Sequence, residues 1–109
     1  LSDAGLSNAT VETAAVGDWL AAHAAGLPRP DFLLLDPPRA GAEPEALRAI
    51  LELRPARLSY VSCDPATLAR DLHALTSAGY KISSLRAFDM FPQTHHVETV
   101  VHLVGVVRQ

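Results

Sequence analysis

The apolar run Phe32-Leu33-Leu34-Leu35 stops at Asp36-Pro37-Pro38-Arg39. Continuous apolar character without alternation marks a strand buried on both faces. The prolines cannot donate to a ladder, and Pro37 holds Asp36 extended, so the strand must end there. A second run, Leu58 to Ser62, turns as abruptly at Cys63-Asp64-Pro65. Between the two runs, Glu43-Pro44-Glu45 opens a helix with acids at its positive end and proline in its first turn. Leu47, Ile50, Leu51 and Leu53 give that helix its apolar stripe. Asp64-Pro65 opens another helix in the same way. Its leucines at 68, 72 and 75 recur at i, i+4 and i+7, and Gly79 closes it.

The flanks complete the pattern. Residues 1–8 read as a helix end, Thr10 to Val16 as a short strand, and 18–25 as an alanine-rich helix. Two strands follow near 80–88 and 97–107, joined by residues 89–96. The order β-α-β-α-β-α-β-β predicts an α/β fold with a mostly parallel sheet. The final strands lack a helical crossover, so they must pair antiparallel. There are no internal repeats.

Topology gathers the candidate chemistry. Ligands of open α/β sheets bind beyond the C-terminal ends of the parallel strands. Asp36 ends one such strand and Cys63 the next. Glu98 begins the reversed last strand, whose start lies on the same edge. Cys63 also precedes a helix N-terminus, which favours a reactive thiolate. Each residue has a plainer role available. Cys63 suits a small core position, Asp36 a turn cap, and Glu98 a solvated edge charge. Asp64 reads as a helix cap that sets a negative charge beside Cys63, against the helix dipole. Adjacent His95 and His96 diverge, so no metal site is expected.

Composition narrows the class. At 109 residues the chain is one domain at most, and no apolar run reaches membrane-spanning length. The net charge of −3 argues against a purely electrostatic nucleic-acid binder. Eight of the nine basic residues are arginine, however, and arginine forks phosphate well. The lone cysteine forms no internal disulfide, which fits a reducing, cytoplasmic setting. The chain begins at Leu1 and its single methionine is Met90, so it reads as a piece of a longer protein.

Three segments carry a resemblance: Leu35-Asp36-Pro37-Pro38-Arg39-Ala40-Gly41, Tyr60-Val61-Ser62-Cys63-Asp64-Pro65-Ala66-Thr67-Leu68-Ala69-Arg70-Asp71, and Phe88-Asp89-Met90-Phe91-Pro92-Gln93-Thr94-His95-His96-Val97-Glu98. Together they resemble the S-adenosylmethionine-dependent RNA uracil-C5 methyltransferases of tRNA and 23S rRNA, over about residues 1–107. The resemblance implies a Rossmann-like methyltransferase fold, of which this chain is the C-terminal portion of the catalytic domain. It implies that Cys63 attacks C6 of uracil, that Glu98 removes the C5 proton, and that Asp36 lies at the cofactor. Two positions depart from the family. Asp64 stands where asparagine is usual, and Ala15 falls where a polar residue usually contacts the cofactor, with Asp18 a weak substitute.

The family's sheet order, 3-2-1-4-5-7-6, makes residues 32–35 its fourth strand. The first two strands and the glycine-rich loop have no counterpart, since glycines 5, 17, 26, 41, 79 and 105 do not cluster. The isolated chain is therefore expected to bind S-adenosylmethionine weakly and not to turn over. Residues 32–35 would form an exposed edge, and the expectation is that residues 10–16 repack against it or are mobile, or that two copies pair there. Two other readings stay open: a different S-adenosylmethionine-dependent nucleic-acid methyltransferase with a structural Cys63, and a non-catalytic RNA-binding module.

Overall fold

The computed structural model describes residues 13, 14, 16–23, 26–89 and 97–105. Its elements are α1 (Val16–His23), β1 (Phe32–Leu35), α2 (Pro44–Leu53), β2 (Arg57–Ser62), α3 (Pro65–Ser77), β3 (Tyr80–Asp89) and β4 (Val97–Gly105). The strands form one mixed sheet in the order β1-β2-β4-β3. β1 and β2 are parallel, while β4 is antiparallel to both its neighbours. β4 alone runs in reverse, as a connection too short for a helical crossover requires. This is the 4-5-7-6 part of the expected order. The α3 crossover carries the chain past the slot that β4 then fills.

Local chemistry sets the element ends. Pro44 and Pro65 each occupy the first turn of a helix, where the absent N–H costs nothing. Asp64 caps α3, accepting from the backbone N–H groups of Ala66 (2.9 Å) and Thr67 (3.4 Å). Gly79 leaves α3 at φ +111°, a conformation that favours glycine.

The core lies on one face of the sheet. Leu35, Leu58, Tyr60, Val101 and Leu103 pack there against Leu20, Ile50, Leu68 and Leu75 of the three helices. Successive strand residues point to opposite faces, so alternate positions of β2 and β4 build this core. The other face is open: Phe32, Leu34 and Val104 are 52%, 61% and 43% exposed. The expectation that 32–35 is buried on both faces is therefore corrected. Leu35 is buried and Leu33 half-buried, while Phe32 and Leu34 point away from the helices. The expected edge position holds, because among the described residues β1 pairs only with β2.

The expected strand at 10–16 falls largely outside the described residues, and Val16 opens α1 instead. The helix expected at 18–25 starts two residues earlier. No helix among the described residues is long and apolar enough to cross a membrane.

Candidate active site

The register of β2 fixes the relation between the candidate groups. Leu35 pairs with Tyr60 in the parallel ladder, and Ser62 pairs with Thr99 in the antiparallel one. One step beyond that last pair lie Cys63 on one chain segment and Glu98 on the other. Asp36 follows Leu35 on the same edge. The three residues therefore gather as the topology predicts. Cys63 and Glu98 are half-buried, and Asp36 is exposed. Strand alternation puts Glu98 on the open face with Val100 and His102. Residues 90–96 of the third motif, and Ala15, lie outside the described residues. Asp18 sits in the first turn of α1 and is exposed.

Cys63 is a free thiol at the corner between β2 and α3. Ser62 closes that corner. Its hydroxyl donates to the Asp64 carbonyl (2.9 Å) and accepts from the Asp64 N–H (3.1 Å), so the backbone is tied across Cys63. The Asp64 carboxylate is engaged with the N–H groups that begin α3. Asparagine, usual in the family here, caps a helix equally well, so the departure keeps this part of the geometry.

The Asp36 turn is held by α3 rather than by its own strand. Within it the Gly41 N–H donates to the Pro38 carbonyl (2.8 Å). Thr67 Oγ1 donates to the Arg39 carbonyl (3.0 Å), and Arg70 Nη2 donates to the carbonyls of Ala40 (3.0 Å) and Ala42 (3.4 Å). The Ala42 N–H donates to Asp71 Oδ2 (2.9 Å), which also accepts from the Tyr60 hydroxyl. Arg70 Nε reaches Asp71 Oδ1 at 3.1 Å. Asp71 and Tyr60 are both fully buried. Burial first, and then the Asp71 carboxylate, push the Tyr60 phenol well above its usual range. Gly41 takes φ +87°, and a Cβ there would lie 2.9 Å from Asp71 Oδ2.

Asp71 lies inside α3, away from the strand ends where site residues are expected. Its signal is in the sequence nonetheless: with Leu68, Leu72 and Leu75 it completes the i, i+3, i+4, i+7 stripe of α3. A carboxylate in that stripe must be buried, and a buried carboxylate needs donors.

Beside the turn, a cavity of about 400 Å³ opens between α1, β1 and α2, lined by Leu20, Leu33, Leu34, Asp36, Pro37 and Gly41 among others. Its walls are mainly apolar, and Asp36 and Glu43 are the acidic residues that line it. Among the described residues no group of three or more His, Cys, Asp or Glu could hold a metal. The arrangement offers a thiol and a carboxylate on neighbouring strands, next to a mainly apolar cavity lined in part by Asp36 and Glu43.

Known proteins are similar to this chain in sequence and in fold. An uncharacterized RNA methyltransferase of Thermotoga maritima is 58% identical over 76 residues, covering 70% of this chain and 17% of that protein. One from Thermosynechococcus vestitus is 48% identical over 100 residues, covering 91% of this chain and 22% of that protein. The chain thus spans about a fifth of the length of these curated relatives. Pyrococcus abyssi tRNA (uracil-54, C5)-methyltransferase, solved with S-adenosyl-L-homocysteine, superposes with TM-score 0.61 at 44% identity, over 68% of this chain and 18% of that one. The M1.HpyAVI–SAM complex gives TM-score 0.61 at 12% identity, over 84% of this chain and 52% of that one, a likeness of fold alone. The family model for tRNA (uracil-5-)-methyltransferase matches residues 29–106, from the loop before β1 past the end of β4, and so takes in all four strands and Asp36, Cys63 and Glu98. The chain belongs to the tRNA (uracil-5-)-methyltransferase family.

Proposed function

We propose that this chain is the C-terminal part of the catalytic domain of a longer RNA methyltransferase, which methylates C5 of a uridine in tRNA or 23S rRNA with Cys63 as nucleophile. One observation carries the reading: the β2–β4 register brings Cys63 level with Glu98 at the sheet edge. Membership of the tRNA (uracil-5-)-methyltransferase family supports uracil methylation as the chemistry of such a pair.

The residues present fit part of an S-adenosylmethionine site. Asp36 and the turn that follows line an apolar cavity, while the glycines form no cluster able to cradle a nucleotide. Asp36 would hold the cofactor there. When bound, the cofactor supplies an electrophilic methyl group.

The chain's own residues do the rest. An unactivated uracil C5 is a poor nucleophile. Addition of the Cys63 sulfur to C6 forms an S–C6 bond and shifts the C5–C6 electron pair into an enolate, which makes C5 able to take the methyl group. The C5 proton must then leave. Glu98 removes it as a general base, the C5–C6 double bond re-forms, and the C6–S bond breaks to release the thiolate. The uridine must be unstacked for Cys63 to reach C6.

The test is nucleoside analysis of tRNA and of 23S rRNA after incubation with the full-length protein and methyl-labelled S-adenosylmethionine. The expected product is 5-methyluridine in one of the two RNAs, abolished by Cys63→Ala. Label in another nucleoside, or labelling that survives Cys63→Ala, would overturn the reading.

A further inference from the structure

We propose that Asp71 is a positioning residue, which with Arg70 and Thr67 locks the Asp36 turn in place relative to Cys63; the proposal rests on the uracil-methylating reading of that site. The argument begins with position. Asp71 falls in the apolar stripe of α3, where leucine would satisfy packing without desolvating a charge. It is fully buried and every bond it makes is accounted for. Its donors are the Ala42 N–H, the Tyr60 hydroxyl and Arg70 Nε.

These partners come from the two segments that carry the chemistry. Ala42 ends the turn that Asp36 begins, and Tyr60 lies on β2 three residues before Cys63. Thr67, Arg70 and Asp71 occupy one face of α3 at i, i+3 and i+4. Between them they take the carbonyls of Arg39, Ala40 and Ala42 and the N–H of Ala42. The same helix starts directly after Cys63, and Thr67 Oγ1 also reaches the Asp64 carbonyl at 3.3 Å. Pro37 and Pro38 stiffen the link from Asp36 to the clamped residues. The carboxylate thus fixes two loops whose strands alone leave their tips unconstrained.

This matters for the order of events. Cys63 needs no Asp36 to meet C6, whereas methyl transfer needs the cofactor side and the Cys63 side in register. A misplacement of about 1 Å is enough to cost orders of magnitude in rate. Loosening the clamp should therefore lower kcat and raise KM for S-adenosylmethionine, with KM for RNA unchanged.

The experiment uses the full-length protein with three substitutions: Asp71→Asn, Thr67→Val and Thr67→Ser. Thr67 is only partly buried, so its variants read the clamp even if Asp71→Asn misfolds. The expected result is a fall in kcat of about tenfold or more for Thr67→Val, following the sensitivity of rate to placement, and recovery in Thr67→Ser, which keeps the donor. Asp71→Asn, where folded, should show the same split between kcat and RNA KM. Wild-type kcat and KM values in folded Thr67→Val would overturn the proposal, as would equal losses in Thr67→Val and Thr67→Ser. Absence of 5-methyluridine with the unaltered protein would instead sink the functional reading and this proposal with it.

Discussion

Replacing Gly41 by alanine should loosen the Asp36 turn without touching any reacting group. Two costs add. The backbone sits at φ +87°, where an L residue pays about 1–2 kcal/mol. The new Cβ would also run into Arg70 Nη2 and lie 2.9 Å from Asp71 Oδ2 and 3.1 Å from the Thr67 Cβ. Arg70 is the end of a long, exposed side chain and can swing aside. Asp71 cannot move without giving up the Ala42 N–H, and leaving a buried polar group unpaired costs about 1–3 kcal/mol. The sum is about 2–5 kcal/mol, a large fraction of the 5–15 kcal/mol typical of a domain. Gly79→Ala is the control. It has φ +111° with nothing within 4 Å of the added Cβ, so it bears the backbone cost alone, and at the far end of α3. Native-state amide exchange of the full-length protein, followed on the segment 39–47, reads the difference. At 1.4 kcal/mol per tenfold, Gly41→Ala should speed exchange there by about 30-fold or more, while Gly79→Ala leaves that segment unchanged. Exchange within about threefold of the unaltered protein in Gly41→Ala would refute the clamp as the restraint on this turn.

Two further predictions follow from the described interactions. Burial raises the phenols of Tyr60 and Tyr80 above their ordinary value. A raised phenol contributes stability fully below the unfolded value of about 10 and loses it as pH climbs past that point toward the folded value. Melting temperature should therefore fall above about pH 10, and the gap between the unaltered protein and Tyr60→Phe should narrow there. A constant gap from pH 8 to 11.5 would contradict this. At the start of α3, Asp64→Ala should cost about 1 kcal/mol by loss of the cap, while Asp64→Asn should cost almost nothing. Amide exchange of residues 65–70 separates them, and equal effects of the two substitutions would count against the capping role.

How much of this was legible in the sequence depends on the range of the interaction. Strand ends at Asp36 and Cys63 were readable because proline and helix-opening acids act within a few residues. The placement of Glu98 followed from a rule of connectivity, since a strand without a crossover must reverse. Sheet order came through the resemblance, because nothing local says that β4 inserts between β2 and β3. Burial of 32–35 was overestimated for a related reason: an all-apolar run reports that a strand tolerates two covered faces, and here the helices supply one. The clamp was the least legible part. Thr67, Arg70 and Asp71 bond to residues 28 to 30 positions away, and their pattern on α3 looks like an ordinary polar face until Asp71 is noticed among the leucines.

The central claim is that Cys63 forms the covalent bond to the base, and trapping tests it most directly. RNA carrying 5-fluorouridine offers no C5 proton for Glu98 to remove, so the C6–S bond cannot be released after methyl transfer. The full-length protein should form a denaturant-resistant complex with that RNA in the presence of S-adenosylmethionine, and peptide mapping should locate the nucleotide on Cys63. No complex, or a nucleotide attached at any other residue, would contradict the account.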